Sequence, residues 1–376
     1  MDGLEATLQR ALDSATLAAR VPVTPPGRHG EPGAEPRRGT PAAHAVIAHR
    51  GHVVATAHAG AAELFTPDGG LLADPRPLGP GDVFDLASLT KVLVAATALT
   101  QVRSGVIGLE DPVVRHLPAF TGDGREDVLV RHLLLHTSGL PAMFEHWDTP
   151  AHRGERVAVV LSQRLRHRAG RVHTYSCVGY QVLGLLLEQA TGRPLPELLA
   201  REVTGPLGMA DTGYHPAEPD RVVPTEYQHD PARGLVRGQV HDEAAWVLGG
   251  AGNAGVFATA ADVLTFAEAI RTPTGPIDDA VRNLLSTDLL DARGRVAAGF
   301  GQAVGLRVGD ASFMGVDADG LLGHTGFTGT SLVIDPAREL SVVLLTNRVH
   351  PYRSAFTVMG LRRAVVELAQ AWVDRA

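Results

Sequence analysis

Asp85-Leu86-Ala87-Ser88-Leu89-Thr90-Lys91 is the stretch on which the reading of this chain turns. From Ser88 to about Arg103 the pattern is helical, so Ser88 sits at the start of a helix and Lys91 one turn on, on the same side. A serine hydroxyl becomes a nucleophile only beside a base. The start of a helix adds backbone N–H groups and a positive dipole where an oxyanion would develop. The lysine stands out a second time: of 34 basic residues it is the single Lys, the other 33 being Arg. A GC-rich coding bias accounts for the excess of Arg, and the one Lys that remains marks a place where Arg does not serve. Lysine can lose its proton when desolvated and arginine effectively cannot. A capping serine followed by a solvated lysine gives the same four letters, so the motif needs support from elsewhere.

Working outward, Leu4, Leu8, Leu12 and Leu17 predict an amphipathic helix over residues 3–20. Residues 21–41 hold many prolines and read as a linker. Val46–His49 and Val53–Ala59, joined at Arg50-Gly51, predict a β-hairpin. Helices are expected over Val128–Leu135, Ala151–Arg166, Val178–Ala190 (stopped by Gly192 and Pro194), Ala260–Arg271, Ile277–Leu285 and from Arg353 to the end. Strands are expected at Ala298–Val308, Leu332–Asp335 and Ser341–Thr346. The β-signals thus lie at both ends of the chain and the helices in its middle. The expected fold is α+β: an antiparallel sheet flanked by N- and C-terminal helices, with an inserted all-helical domain. The expected units are residues 1–41 as helix and linker, 42–87 plus 292–376 as the sheet domain, and 88–291 as the insertion, with the active site between the last two.

Two further polar clusters lie downstream. Tyr175-Ser176-Cys177 precedes the Val178–Ala190 helix, where a tyrosine close to Ser88 and Lys91 can share their proton. His324-Thr325-Gly326 precedes the Leu332-Val333 strand, and its glycine lets a ligand approach the backbone closely. In this order the three clusters resemble the motifs of the serine β-lactamase and penicillin-binding-protein superfamily, in the branch of class C β-lactamases, DD-peptidases and their esterase relatives. His136-Thr137-Ser138-Gly139-Leu140-Pro141, the glycine-rich run Gly249–Phe257 and Gly326-Phe327-Thr328-Gly329-Thr330 agree with it. The resemblance runs from about residue 42 to 370. It implies a β-lactamase/transpeptidase-like fold and a set of roles. Ser88 would carry the acyl group, Lys91 would accept or relay its proton, and Tyr175 would be the partner acid and base. The backbone N–H groups of Ser88 and Phe327 would form the oxyanion hole. Cys177, His324, Thr325, Gly326 and Arg348 would contact substrate.

Two departures from that pattern bear on the substrate. The second motif usually ends in Asn and here ends in Cys177, whose thiol is a weak donor and acceptor. The third usually begins with Lys and here begins with His324, which is expected to titrate near neutrality. Arg348 is the candidate to replace the lost cation. Both departures point away from cell-wall peptides and β-lactams and toward a small-molecule ester or amide.

Other features exclude as much as they suggest. The net charge of −7 argues against a nucleic-acid or polybasic membrane-surface protein. With 44% apolar residues the chain has the composition of a globular protein. One cysteine leaves no internal disulfide and no cysteine-based zinc site. His132 and His136 are four apart but lack the Glu of a zinc-protease motif and read as structural or surface residues, so no metal or cofactor is expected. His44, His49, His52 and His58 read as exposed residues of the hairpin. His241-Asp242-Glu243 reads either as a binder of a polar substrate group at the cleft rim or as an exposed polar loop, and Gly249–Gly255 as a flexible cleft wall. No export signal or spanning segment is visible, which sets the expectation of a cytoplasmic protein. The leading expectation is a serine acyl-enzyme hydrolase. The alternatives are an acyltransferase or cyclase that passes the acyl group to an amine acceptor, and a non-catalytic binding protein on the same fold.

Overall fold

The computed structural model describes residues 3–25, 35–143 and 152–375. Helix α1 (Leu4–Ala18) buries Leu4, Leu8, Leu12 and Thr16, a strict four-residue spacing. Leu17, expected in that stripe, is 70% exposed. Five residues beyond Leu12 it has rotated past the buried face, and Thr16 takes its place.

The central sheet has seven strands: β1 (Ala42–His49), β2 (His52–Gly60), β3 (Gly301–Gln302), β4 (Arg307–Val308), β5 (Leu322–Thr325), β6 (Ser331–Asp335) and β7 (Leu340–Thr346). Their order is β2-β1-β7-β6-β5-β4-β3 and every pairing is antiparallel. The β1–β2 hairpin turns on Arg50 and Gly51, both at positive φ (53° and 82°), as a two-residue turn between twisted strands requires. The strands of the centre read as continuous apolar runs because both faces are covered. Alternate residues go to opposite cores. Ala43, Ala45, Ile47, Val342 and Leu344 meet α1 and the terminal helix α5 (Met359–Val373). Ala42, Val46, Ala48, Val343 and Leu345 join the larger core under α2 (Thr90–Arg103) and α4 (Ala260–Arg271). Helix α4 packs directly on β1, β6 and β7.

Several expected elements differ in extent. The strand expected over Ala298–Val308 is a helix over Ala292–Ala298 followed by the short strands β3 and β4. Gly299 and Gly305, at φ 77° and 78°, end the helix and turn the chain between the strands. The helix expected from Ala151 runs over Arg153–Leu161, and residue 151 lies outside the described residues. Part of the 21–41 linker, residues 26–34, also lies outside them. The C-terminal helix begins at Met359 rather than Arg353. Helix α3 (Cys177–Thr191) starts at Ser176, whose hydroxyl accepts the Gly179 N–H at 2.9 Å, and stops at Gly192 in the left-handed region. No helix among the described residues is long and apolar enough to cross a membrane.

Candidate active site

Ser88 lies in a single 3₁₀ turn, Ala87–Leu89, that leads into α2. Ala87 has φ 47°, an uncommon conformation for a residue with a β-carbon. Asp85 holds it there, its carboxylate accepting the Ala87 N–H at 2.8 Å. Helix α2 is apolar nearly all round and buried, as a helix between two layers must be. Lys91, on its first turn, is fully buried. Its Nζ donates to Ser88 Oγ at 3.0 Å and to the Asn253 carbonyl at 2.9 Å. It also stands 4.9 Å from the centroid of the Tyr175 ring.

Burial opposes the Lys91 charge, but Cys177 and Tyr175 attract it, and hydrogen bonding to Tyr175 adds to this. The balance raises its pKa above that of ordinary lysine.

The segment carrying Tyr175 is laced to residues 136–142. The Thr174 N–H donates to the His136 carbonyl at 2.8 Å, the Ser176 N–H to His136 Nδ1 at 3.0 Å, and the Cys177 N–H to the Ala142 carbonyl at 2.8 Å. The His136 ring sits between those of Tyr175 and Tyr180, at 4.6 and 5.0 Å. Burial, then the Lys91 charge, push its pKa well down, so this imidazole is a neutral acceptor. His136 is therefore a buried support of the tyrosine and not a surface residue.

The loop after β5 is bolted to the Ser88 turn. Thr328 Oγ1 donates to the Asp85 carbonyl at 2.8 Å and Thr330 Oγ1 to the Leu86 carbonyl at 3.0 Å. A β-carbon at Gly326 would collide with Thr330 Oγ1 and the Leu86 carbonyl, so the two segments can approach this closely only with glycine. The Phe327 N–H meets no acceptor among the described residues.

A cavity of about 530 Å³ opens beside this turn, lined by Ser88, Tyr175, Thr325, Gly326, Phe327 and Arg348, together with Arg307, Arg353 and Arg362. Two of the residues expected to touch substrate do not line it. Cys177 is half-buried close to Lys91. His324 is buried with its ring 5.8 Å from that of Tyr175 and its Nδ1 paired with the Thr325 carbonyl at 2.9 Å.

A family model described as Beta-lactamase matches residues 9–366. The chain belongs to the β-lactamase family. A Bacillus subtilis (strain 168) N-acetylmuramyl-L-alanine amidase is 30% identical over 348 residues, covering 83% of this chain and 78% of that one. An Escherichia coli (strain K12) protein provisionally named D-alanyl-D-alanine carboxypeptidase is 28% identical over 348 residues, covering 83% and 79%. Among solved structures, EstCE1, titled a hydrolase with promiscuous acyltransferase activity, superposes with a TM-score of 0.73 at 23% identity, covering 96% of this chain and 98% of that one. This member of the family is an enzyme of the serine hydrolase or acyltransferase type.

Three expectations change with the geometry. His324 does not titrate near neutrality: burial and the charges of Arg307 and Lys91 push its pKa well below the usual value. It is a neutral group. His241 and Glu243 are buried rather than an exposed rim loop. Ala251–Ala258, the second part of the glycine-rich wall, is buried throughout and supplies the carbonyl that holds Lys91. Sequence reasoning missed Asn253 for a simple reason. It serves through its main chain, and any residue type offers a carbonyl.

Proposed function

We propose that this chain is a serine acyl-enzyme hydrolase that cleaves a small-molecule ester or amide through Ser88. The observation that carries the reading is the buried Lys91 ammonium 3.0 Å from Ser88 Oγ. The Lys91–Tyr175 pair enters the step one proton short and takes the Ser88 proton, with Tyr175 as the member that passes it on. Ser88 Oγ then bonds to the substrate carbonyl carbon. The oxygen that gains negative charge turns to the N–H groups of Ser88 and Phe327. Tyr175 returns the proton to the departing alcohol or amine, and water releases the acyl group by the same steps in reverse. An amine can take the place of water, since the cavity beside Ser88 has room for more than an acyl chain.

The test is intact-protein mass spectrometry after brief exposure to p-nitrophenyl esters, a cephalosporin and a fluorophosphonate. The expected result is a single adduct from the esters and the fluorophosphonate, mapped to the peptide that holds Ser88. The cephalosporin is expected to react far more slowly, because Cys177 and a neutral His324 replace an amide and a cation. No adduct with any reagent, or an adduct elsewhere, sinks the reading. Adding an amine during ester turnover separates hydrolysis from acyl transfer by product.

The cavity also favours one kind of substrate. Arg348 and Arg362 line it, and neither is paired with a carboxylate among the described residues. Burial, with repulsion from Arg348 and Arg307, lowers the Arg362 pKa to about 9, so it remains charged at neutrality. A substrate with a carboxylate on its leaving group satisfies these donors. We expect its kcat/KM to exceed that of the matching methyl ester by about 10-fold or more, the worth of one charge-assisted hydrogen bond. Arg348→Ala should remove most of that preference, and equal rates for acid and methyl ester would refute it.

A further inference from the structure

The oxyanion side of the site contains a closed ring of contacts that the catalytic scheme leaves unused. The Phe327 side chain is 49% exposed, yet two side chains pack against its ring. The His241 ring stacks with it at 5.7 Å and 25°, and the Arg348 guanidinium lies 4.6 Å from its centroid. His241 is fixed at both ends. Its N–H donates to Asp85 Oδ2 at 2.7 Å, and its Nε2 pairs with Glu226 Oε2 at 2.8 Å. Glu226 accepts the Arg353 N–H at 2.8 Å and the Arg353 Nε at 2.9 Å. The Arg353 carbonyl accepts Arg348 Nη1 at 3.1 Å, which closes the ring.

Asp85 joins this ring to the nucleophile. One carboxylate oxygen holds Ala87, next to Ser88, the other holds His241, and its carbonyl holds Thr328, next to Phe327. Burial works against the Glu226 charge, but hydrogen bonds from His241 and Arg353 outweigh it and keep its carboxyl at about 2. Buried ion pairs of this kind are a poor means of gaining stability, since apolar residues of the same volume do as well or better. What they supply is direction. An imidazole and an arginine touch one exposed aromatic ring, a carboxylate and a second arginine hold them, and the residue that carries the ring lines the cavity beside Ser88.

We infer that His241, held by Glu226 and Arg353, is a positioning residue that fixes the Phe327 ring and so aims the Phe327 N–H at the developing oxyanion. The inference rests on the acyl-enzyme reading above. It assigns His241 no contact with substrate and no proton to move. Its effect belongs to the transition state, because the oxyanion forms only there. Losing an oxyanion donor costs about 10²–10³-fold, and misaiming one should cost less, about 10–100-fold.

The experiment compares wild type with His241→Gln, which removes the stacked ring, and His241→Phe, which keeps it without the bond to Glu226. The backbone donor to Asp85 survives in both. Rates of Ser88 phosphonylation by a fluorophosphonate and kcat and KM for a p-nitrophenyl ester are measured per titrated active site. This normalisation removes any misfolded fraction. His241→Gln should lose about 10–100-fold in phosphonylation rate and kcat, with KM within about twofold, and His241→Phe should recover most of the loss. The inference is overturned if His241→Gln reacts like wild type, if the loss falls on KM, or if both variants lose equally. Wild type that forms no Ser88 adduct overturns the parent reading, and the positioning role with it. Wild type that reacts while the variants match it overturns the positioning role alone.

Discussion

Ser88→Ala will abolish the covalent adduct and lower ester turnover by about 10³–10⁶-fold, the range seen when a nucleophile is removed from an otherwise intact site. The variant should fold normally, because Ser88 is half-buried and its hydroxyl is bonded to Lys91 Nζ. Lys91→Arg is the more searching companion. It keeps the charge but offers a planar fork in place of a compact ammonium. The slot is fully buried and shaped by Ser88 Oγ on one side and the Asn253 carbonyl on the other. A guanidinium cannot meet both without moving α2 or the 251–258 segment. We expect Lys91→Arg to lose about 10²–10⁴-fold in acylation, the worth of a positioned proton-transfer partner. Thermal melting and adduct mass distinguish this from collapse of the fold. Substantial acylation by Lys91→Arg would mean that charge alone suffices and that the geometry described above is not needed.

The second large effect is on stability. His350 is buried, with its Nε2 accepting the N–H groups of Leu64 and Phe65 at 3.3 and 3.2 Å, and burial pushes its pKa down to about 3. His44 is lowered to about 4 by burial and by the charge of His58 across the hairpin. Each imidazole is neutral in the folded chain and has an ordinary value of 6.5 when unfolded. Between those values the unfolded chain binds the proton and the folded chain does not, so stability rises with pH there. The contribution is complete above pH 6.5 and is lost as pH falls toward 4 and 3. At pH 4.5 each histidine has cost roughly 2–3 kcal/mol, or about 5 kcal/mol together. Chemical unfolding midpoints between pH 7.5 and 4.5 will show this decline, above the range where Glu226, at about 2, begins to titrate. The double variant His44→Gln/His350→Gln should start lower and fall less, the remaining decline coming from His136 and His324, which are lowered too. A midpoint that stays level over this range in wild type would rule the effect out.

The parts of this molecule that the sequence made legible are those where residue type does the work locally. Ser88 and Lys91 share a helical side because they are three apart. The hairpin is readable because its two central residues must take positive φ and glycine supplies one of them. The stop of α3 is readable because Gly192 supplies the same freedom. The antiparallel sheet with terminal helices follows from where the β-signals fall. What was not legible depends on what packs from afar. His44 looks like any hairpin histidine until the larger core covers it. His324 looks like a neutral-range titrating group until Arg307 and Lys91 close around it. The broken strand at Ala298–Val308 hides because two glycines interrupt an otherwise apolar run. Asn253 leaves no sequence signal, since only its carbonyl is used.

The central pairing of the sheet carries one further consequence, for the chain's birth rather than its chemistry. The Ala42 N–H is tied to the Asn347 side chain, 305 residues away, and β1 finds its inner neighbour only in β7. During synthesis Ser88 and Lys91 therefore emerge long before the strand that completes their platform and the loop at 326–330 that completes the oxyanion side. Contacts so distant in sequence form late, and an incomplete chain leaves the edge of β1 unpaired and prone to misassociation. The sheet beneath Ser88 and Lys91 thus closes only once β7 has been made, and a chain halted before it carries both side chains without the platform that places them.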